Sequence, residues 1–141
     1  MVIVVKRVYE TASPADGVRV LVDRLWPRGL RKEEAAVKFW LRDLAPSTEL
    51  REWFHANREA WRLFRKRYLK ELVSPKASAA VEKLHRLAES EPKVTLLYAS
   101  KNEEHNNAIV LKELLEGAPK PPSSVGRTAI GRGRIPKGKR Q

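Results

Sequence analysis

Apolar positions along this chain fall into two kinds of pattern. Short β-branched and aliphatic runs read as strands: Val2-Ile3-Val4-Val5-Lys6-Arg7-Val8-Tyr9, Val18-Arg19-Val20-Leu21-Val22-Asp23 and Lys93-Val94-Thr95-Leu96-Leu97-Tyr98-Ala99. The third is apolar on both alternating sets, as a strand buried on both faces is. Elsewhere the apolar residues recur at helical spacing. Trp61, Phe64, Tyr68 and Leu72 make one face of a helix expected over 58–73, with Asn57 as its cap. Ala77, Val81, Leu84 and Ala88 make the inward face of the next, which opens at Ser74-Pro75 with proline in its first turn and stops before Pro92.

The residues between these runs punctuate them. Ser13-Pro14-Ala15-Asp16-Gly17 is turn chemistry. Trp26-Pro27-Arg28-Gly29 forces an extended or turned exit from the second strand, because the residue before proline avoids the helical region. A helix is expected over 31–44, interrupted by Pro46, after which Ser47 or Thr48 caps a short helix through His55. Ser100 and Glu103 form a capping box for the last helix, through Leu115, and Gly117 ends it. Two strands, several helices, a strand and a helix predict an α/β domain with a small, mainly parallel sheet flanked by helices. The long connection from Asp23 to Lys93 permits a parallel crossover, whereas the short loop between the first two strands leaves a hairpin, and so a mixed sheet, open.

Composition narrows the class. A chain of 141 residues that is 42% hydrophobic suits one folded domain and argues against wholesale disorder. Cysteine is absent, which excludes disulfides, zinc–cysteine sites, iron–sulfur clusters and thiol chemistry. The longest apolar runs are too short to span a bilayer. No leader-like segment precedes the first strand, so the expected location is the cytoplasm, with no membrane partner.

Charge changes the picture most. Lys and Arg outnumber Asp and Glu by 29 to 17, a formal charge of +12. More than half of that excess sits in 117–141, which holds Lys120, Arg127, Arg132, Arg134, Lys137, Lys139 and Arg140 and no acidic residue. Glycine, proline and serine crowd the same stretch, which cannot bury enough apolar surface to offset its own ordering entropy. The expected organisation is a compact α/β domain over 1–116 and a basic Gly/Pro-rich tail without its own fold over 117–141. Clustered cations bind polyanions by releasing counterions from the phosphate backbone. No recognition helix or ββα module suggests sequence-specific duplex reading. Structured RNA is the expected partner, with ribosomal RNA and neighbouring ribosomal proteins as its largest cytoplasmic form. Arg58, Arg62, Lys66 and Lys70, at four-residue steps, are either a second RNA-binding patch or a solvated face.

A second reading is enzymatic. In open α/β sheets ligands collect at the carboxyl ends of strands. Asp23, Arg24 and Arg28 follow the second strand, and Ser100, Asn102, Glu104 and His105 follow the last. Were these ends neighbours, Asp23 or Glu104 would serve as base, His105 as acid or base and Arg28 as anion clamp, for a hydrolase or transferase acting on a nucleotide or nucleic acid. The structural alternative is that Glu103 and Glu104 complement a helix dipole, Asp23 pairs with an arginine, and the Ser and Asn side chains cap. No cofactor or metal is expected: His55, His85 and His105 lack paired-ligand spacing, and no glycine-rich nucleotide fingerprint or phosphate loop is present. Trp40, Trp53 and Trp61 are expected in the core. Trp26, beside Pro27, is either partly buried or a stacking platform.

Several of these segments carry a resemblance. Asp23-Arg24-Leu25-Trp26-Pro27-Arg28-Gly29, Leu44-Ala45-Pro46-Ser47, Leu50-Arg51-Glu52-Trp53-Phe54, Phe64-Arg65-Lys66-Arg67-Tyr68, Leu96-Leu97-Tyr98-Ala99 and Glu104-His105-Asn106 resemble the YeaO-like branch of a domain-of-unknown-function family. The likeness covers about 2–115 and implies a compact α/β domain. It implies no settled activity, and the basic tail lies outside it.

Overall fold

The computed structural model describes residues 2–117; the basic segment beyond Gly117 lies outside the described residues. Strands β1 (Val2–Arg7), β2 (Val18–Leu21), β3 (Phe39–Trp40) and β4 (Lys93–Tyr98) form one parallel sheet in the order β1-β4-β2-β3. β4 is central and carries the run read as buried on both faces. Val94, Thr95, Leu96 and Leu97 are each fully buried. Ile3 pairs with Val94 on one side of β4, and Val18 pairs with Val94 on the other. The hairpin left open by the sequence does not form, because β4 lies between the first two strands.

Alternation along the strands separates two faces. Val20 and Leu96, with Ile3 and Val94, join the larger core, which is closed by helices α2 (Thr48–Ala56), α3 (Trp61–Glu71), α4 (Pro75–Ser90) and α5 (Asn107–Leu115). Phe64, Tyr68, Leu84, Val110 and Leu111 are the main helical residues in it. Each such side chain contributes roughly 1.5–3 kcal/mol by leaving water. Leu21 and Leu97 point to the other face, where Val8 and Ala35 cover them together with Trp26, Leu30, Val37 and Trp40.

That second face is also polar. Arg19, only 4% exposed, donates from Nη1 to Asp16 at 2.6 Å and from Nε and Nη2 to the Ala35 carbonyl at 3.0 and 2.7 Å. Lys6 Nζ meets the same carboxylate at 3.0 Å, and the Ser13 amide donates to it at 3.0 Å. Ser13 and Asp16 thereby cap a one-turn 3-10 helix, Pro14–Asp16, reciprocally. Burial acts to raise the Asp16 carboxyl, but the Ser13 amide, Lys6 and Arg19 outweigh it and hold the group below its ordinary value. Gly17 follows at φ +65°, and a Cβ there would overlap the Lys93 carbonyl oxygen, so the turn needs glycine both for its backbone and for its approach to β4.

Three expected elements are corrected. The helix over 31–44 is replaced by a single turn, α1 (Lys32–Ala35), then β3 and a 3-10 turn at Arg42–Leu44. Ala36 turns left-handed at φ 48° and stops the helix. The chain beyond it extends along β2, with the Lys38 amide donating to the Arg19 carbonyl and the Leu41 amide to the Leu21 carbonyl. α3 begins at Trp61 rather than at 58, because Asn57 ends α2 instead, its Nδ2 donating to the Trp53 carbonyl at 2.8 Å. Arg58 therefore lies in the turn before α3. The last helix is capped by Asn106, whose Oδ1 accepts from the Ile109 amide, and not by a Ser100–Glu103 box.

Candidate nucleic-acid interface and the strand-end cluster

α3 packs through Phe64 and Tyr68 and presents cations to solvent. Arg62, Lys66 and Lys70 step along it four residues apart, about 6 Å per step along the axis. Arg58 precedes them, and Arg67 lies over the half-buried Trp53 ring at 4.4 Å. All five are exposed, and none forms an ion pair among the described residues. The one carboxylate of α3, Glu71, is turned to other work. It accepts from the Ser47 amide at 2.8 Å and the Ser47 hydroxyl at 2.6 Å, at the N-terminus of α2 where a negative charge is favoured. Arg65, half-buried, pairs with Glu113 at 2.9 Å. The positive face is therefore uncompensated by its own helix.

An aromatic column rises beside this face. Tyr68, fully buried, donates its hydroxyl to the Leu44 carbonyl and lies 5.7 Å from Phe64. Phe64 stacks on Phe54 at 4.3 Å and on Trp61 at 5.7 Å. Trp61 stacks almost parallel to His105, with centroids 4.5 Å apart and planes at 10°. His105 is half-exposed and has no other aromatic partner among the described residues. Sequence reasoning placed Trp61 in the core and His105 in a reactive pocket. Their stack was missed because nothing local links positions that far apart in the chain.

The carboxyl ends of β2 and β4 are neighbours, as the enzymatic reading required, but they gather a different set. Asp23 Oδ2 accepts from the Ala99 amide at 2.9 Å, and Oδ1 accepts from Asn107 Nδ2 at 3.1 Å. Asn107 also donates to the Val22 carbonyl at 3.0 Å, and Trp40 Nε1 donates to the Asp23 carbonyl at 2.8 Å. Burial raises the Asp23 carboxyl, opposed by the Ala99 amide, Asn107 and the nearby Arg51. Burial, with Asp23 and Glu71 nearby, also holds the Tyr68 hydroxyl well above its ordinary value.

Arg24 leans the other way, its Nη2 donating to the carbonyls of Ala45 at 3.2 Å and Pro46 at 3.4 Å, while its Nε is buried without a partner among the described residues. Arg28 is exposed and offers its carbonyl to Tyr9, and no hydrogen bond or ion pair joins its guanidinium to Asp23. Ser100, Asn102 and Glu104 are exposed and build the loop itself: Ser100 Oγ accepts from the Asn102 amide, and Asn102 Oδ1 from the amides of Glu104 and His105. Trp26 is half-buried, its Nε1 donating to the Leu30 carbonyl and its ring edge-on to Trp40. The cluster is thus a tie between strand ends and α5, drawn through Asn107, which the sequence did not single out. Among the described residues no group of His, Asp and Glu is placed to hold a metal ion, and no helix is long and apolar enough to cross a membrane.

Comparison with known proteins places the chain. It is 44% identical to the uncharacterized protein YeaO of Escherichia coli (strain K12) over 110 residues, 78% of this chain and 93% of that one. It is 45% identical over 113 residues to uncharacterized proteins of Mycobacterium bovis and of Mycobacterium tuberculosis, 80% of this chain and 92% of theirs. No solved structure matches. A family model described as "Inactive DUF488-N3 subclade" matches residues 2–125. With that match and those relatives spanning most of its length, the chain belongs to the YeaO-like DUF488-N3 family of domains of unknown function.

Proposed function

We propose that this protein is a basic RNA-binding protein that docks on structured RNA through α3 and the cationic segment 117–141. The observation that carries the reading is the exposed row of Arg62, Lys66 and Lys70, continued by Arg58, with no carboxylate paired to it among the described residues. A face left unneutralised in this way raises the local potential and favours a polyanion over a neutral partner. The composition of 117–141, with its seven named cations and no acid, continues the same sign of charge along the chain. Ribosomal RNA, with neighbouring ribosomal proteins, is the target we favour on abundance and on the shape-following contact such a surface makes. The strand-end cluster supports a binder over an enzyme, since both oxygens of Asp23 are engaged by Ala99 and Asn107. The description of the matching subclade as inactive is in keeping with this reading.

The test is the salt dependence of binding to a ribosomal RNA fragment. Each phosphate neutralised contributes a slope of ~0.7 to 0.9 log units of affinity per log unit of salt. Changing Arg62, Lys66 and Lys70 together to Gln should lower the slope by ~2 to 3. Changing the arginines and lysines of 127–140 to Gln should lower it independently. An unaltered slope in both variants overturns the proposal. Co-sedimentation with ribosomal particles at moderate salt tests the choice of RNA.

A further inference from the structure

We infer that His105, backed by Trp61, is a platform on which an unpaired base of the bound RNA stacks, so that the preferred RNA has a loop or bulge rather than a continuous duplex. The inference rests on the RNA reading above and deepens it. One ring face of His105 lies on Trp61 at 4.5 Å and 10°, and no second aromatic ring covers the other among the described residues. Trp61 is itself packed against Phe64 and Phe54, with ring centroids 5.7 and 5.9 Å away. Trp61 opens α3, with the exposed cations Arg58 in the turn before it and Arg62 one residue on.

The loop bearing His105 is organised before any ligand arrives. Asn102 Oδ1 accepts from the His105 amide at 2.9 Å and the Glu104 amide at 3.0 Å, and Asn106 Nδ2 donates back to the Asn102 carbonyl at 2.9 Å. A platform held this way loses little entropy on binding. Charge decides which part of the RNA meets it. Glu103 and Glu104 are exposed just ahead of His105 and repel phosphate, whereas a base brings a π face and no net charge. Phosphates on either side of that base are left to Arg58 and Arg62. Aromatic and histidine rings stack splayed-out bases in this manner, tolerant of which base it is.

The experiment compares the full-length protein on two RNAs of equal length, a blunt duplex and a hairpin whose loop carries 2-aminopurine. Wild-type protein should bind the hairpin more tightly and quench the probe. His105→Leu, which still covers Trp61 but has no π face, should lose roughly tenfold on the hairpin and the quenching with it, and little on the duplex. His105→Phe should restore both. Equal binding of the two RNAs, or hairpin binding and quenching unchanged in His105→Leu, overturns the platform while leaving RNA binding standing. Failure of the wild-type protein to bind either RNA overturns the RNA reading itself.

Discussion

Replacing Asp16 removes the carboxylate that Arg19 and Lys6 share beneath the second face of the sheet. Arg19 has 5% of its side chain exposed and Asp16 10%, so their pair at 2.6 Å is largely out of water. Such a pair adds little over a well-packed apolar substitute, but breaking it from one side leaves a buried charge and costs about 3–5 kcal/mol. Asp16→Ala also frees the Ser13 amide and uncaps the 3-10 turn, whereas Asp16→Asn keeps an acceptor for one of these donors and should cost less. Against a typical stability of about 5–15 kcal/mol, the Ala change should lower the melting temperature by about 10–20 °C. The pH response has a defined sign. The folded carboxyl titrates below its unfolded value of about 3.9, so its contribution is complete above that value and is lost as the pH falls through the folded one. Urea midpoints of wild type and Asp16→Asn, followed from pH 7 to pH 3, should converge on acidification. An Asp16→Ala protein melting within about 2 °C of wild type, or midpoints that run parallel down to pH 3, would refute the reasoning.

Other perturbations separate the remaining contacts. Asp23 should respond to pH in the opposite sense: its folded value is raised, so its stabilising effect is present in acid and lost as pH rises through that value. The difference in urea midpoint between wild type and Asp23→Asn should therefore change in wild type's favour as the pH falls through the folded value towards about 4, and level off below that. Gly17→Ala should destabilise by about 1–3 kcal/mol, read by thermal melting, because the new Cβ meets the Lys93 carbonyl and the backbone is left-handed there. Tyr68→Phe leaves the Leu44 carbonyl without its buried donor and should cost about 1–3 kcal/mol in urea unfolding with the fold retained.

Much of the fold was legible because local and global preferences agree. β4 is a largely apolar run, with Thr95 within it, and is buried on both faces. α4 begins at its proline, and α2 at Ser47, whose Oγ accepts from the Leu50 amide. The failure over 31–44 has a physical cause. Val37-Lys38-Phe39-Trp40-Leu41 fits an edge strand as well as a helix, and the deciding event is Ala36 adopting a left-handed conformation that alanine rarely takes. Edge pairing to β2 selects it, and that partner lies about twenty residues back in the chain. The two misplaced helix starts reflect competing caps: Asn57 serves the preceding helix, and Ser100 and Asn102 shape a loop before Asn106 caps α5. At the strand ends Asp23 was visible by its position. Its partners Ala99 and Asn107 were not, because a hydrogen bond across some eighty residues leaves no periodic trace.

The strand-end tie and the surface platform belong to one arrangement. Asp23 grips the chain at Ala99 through the amide and at Asn107 through the side chain, the two ends of the loop that carries His105. Asn102 then fixes the interior of that loop, and Trp61 receives the histidine ring from α3. The buried carboxyl thus ties down both ends of the loop that carries His105, while Asn106 caps α5. A residue in the position of a catalytic base, at the carboxyl end of a parallel strand, here holds its hydrogen-bonding capacity inward. Exposed on the surface are the cations Arg58 and Arg62, the carboxylates Glu103 and Glu104 and, in part, the His105 ring, a set that on the proposed reading admits a base and leaves its phosphates to the arginines.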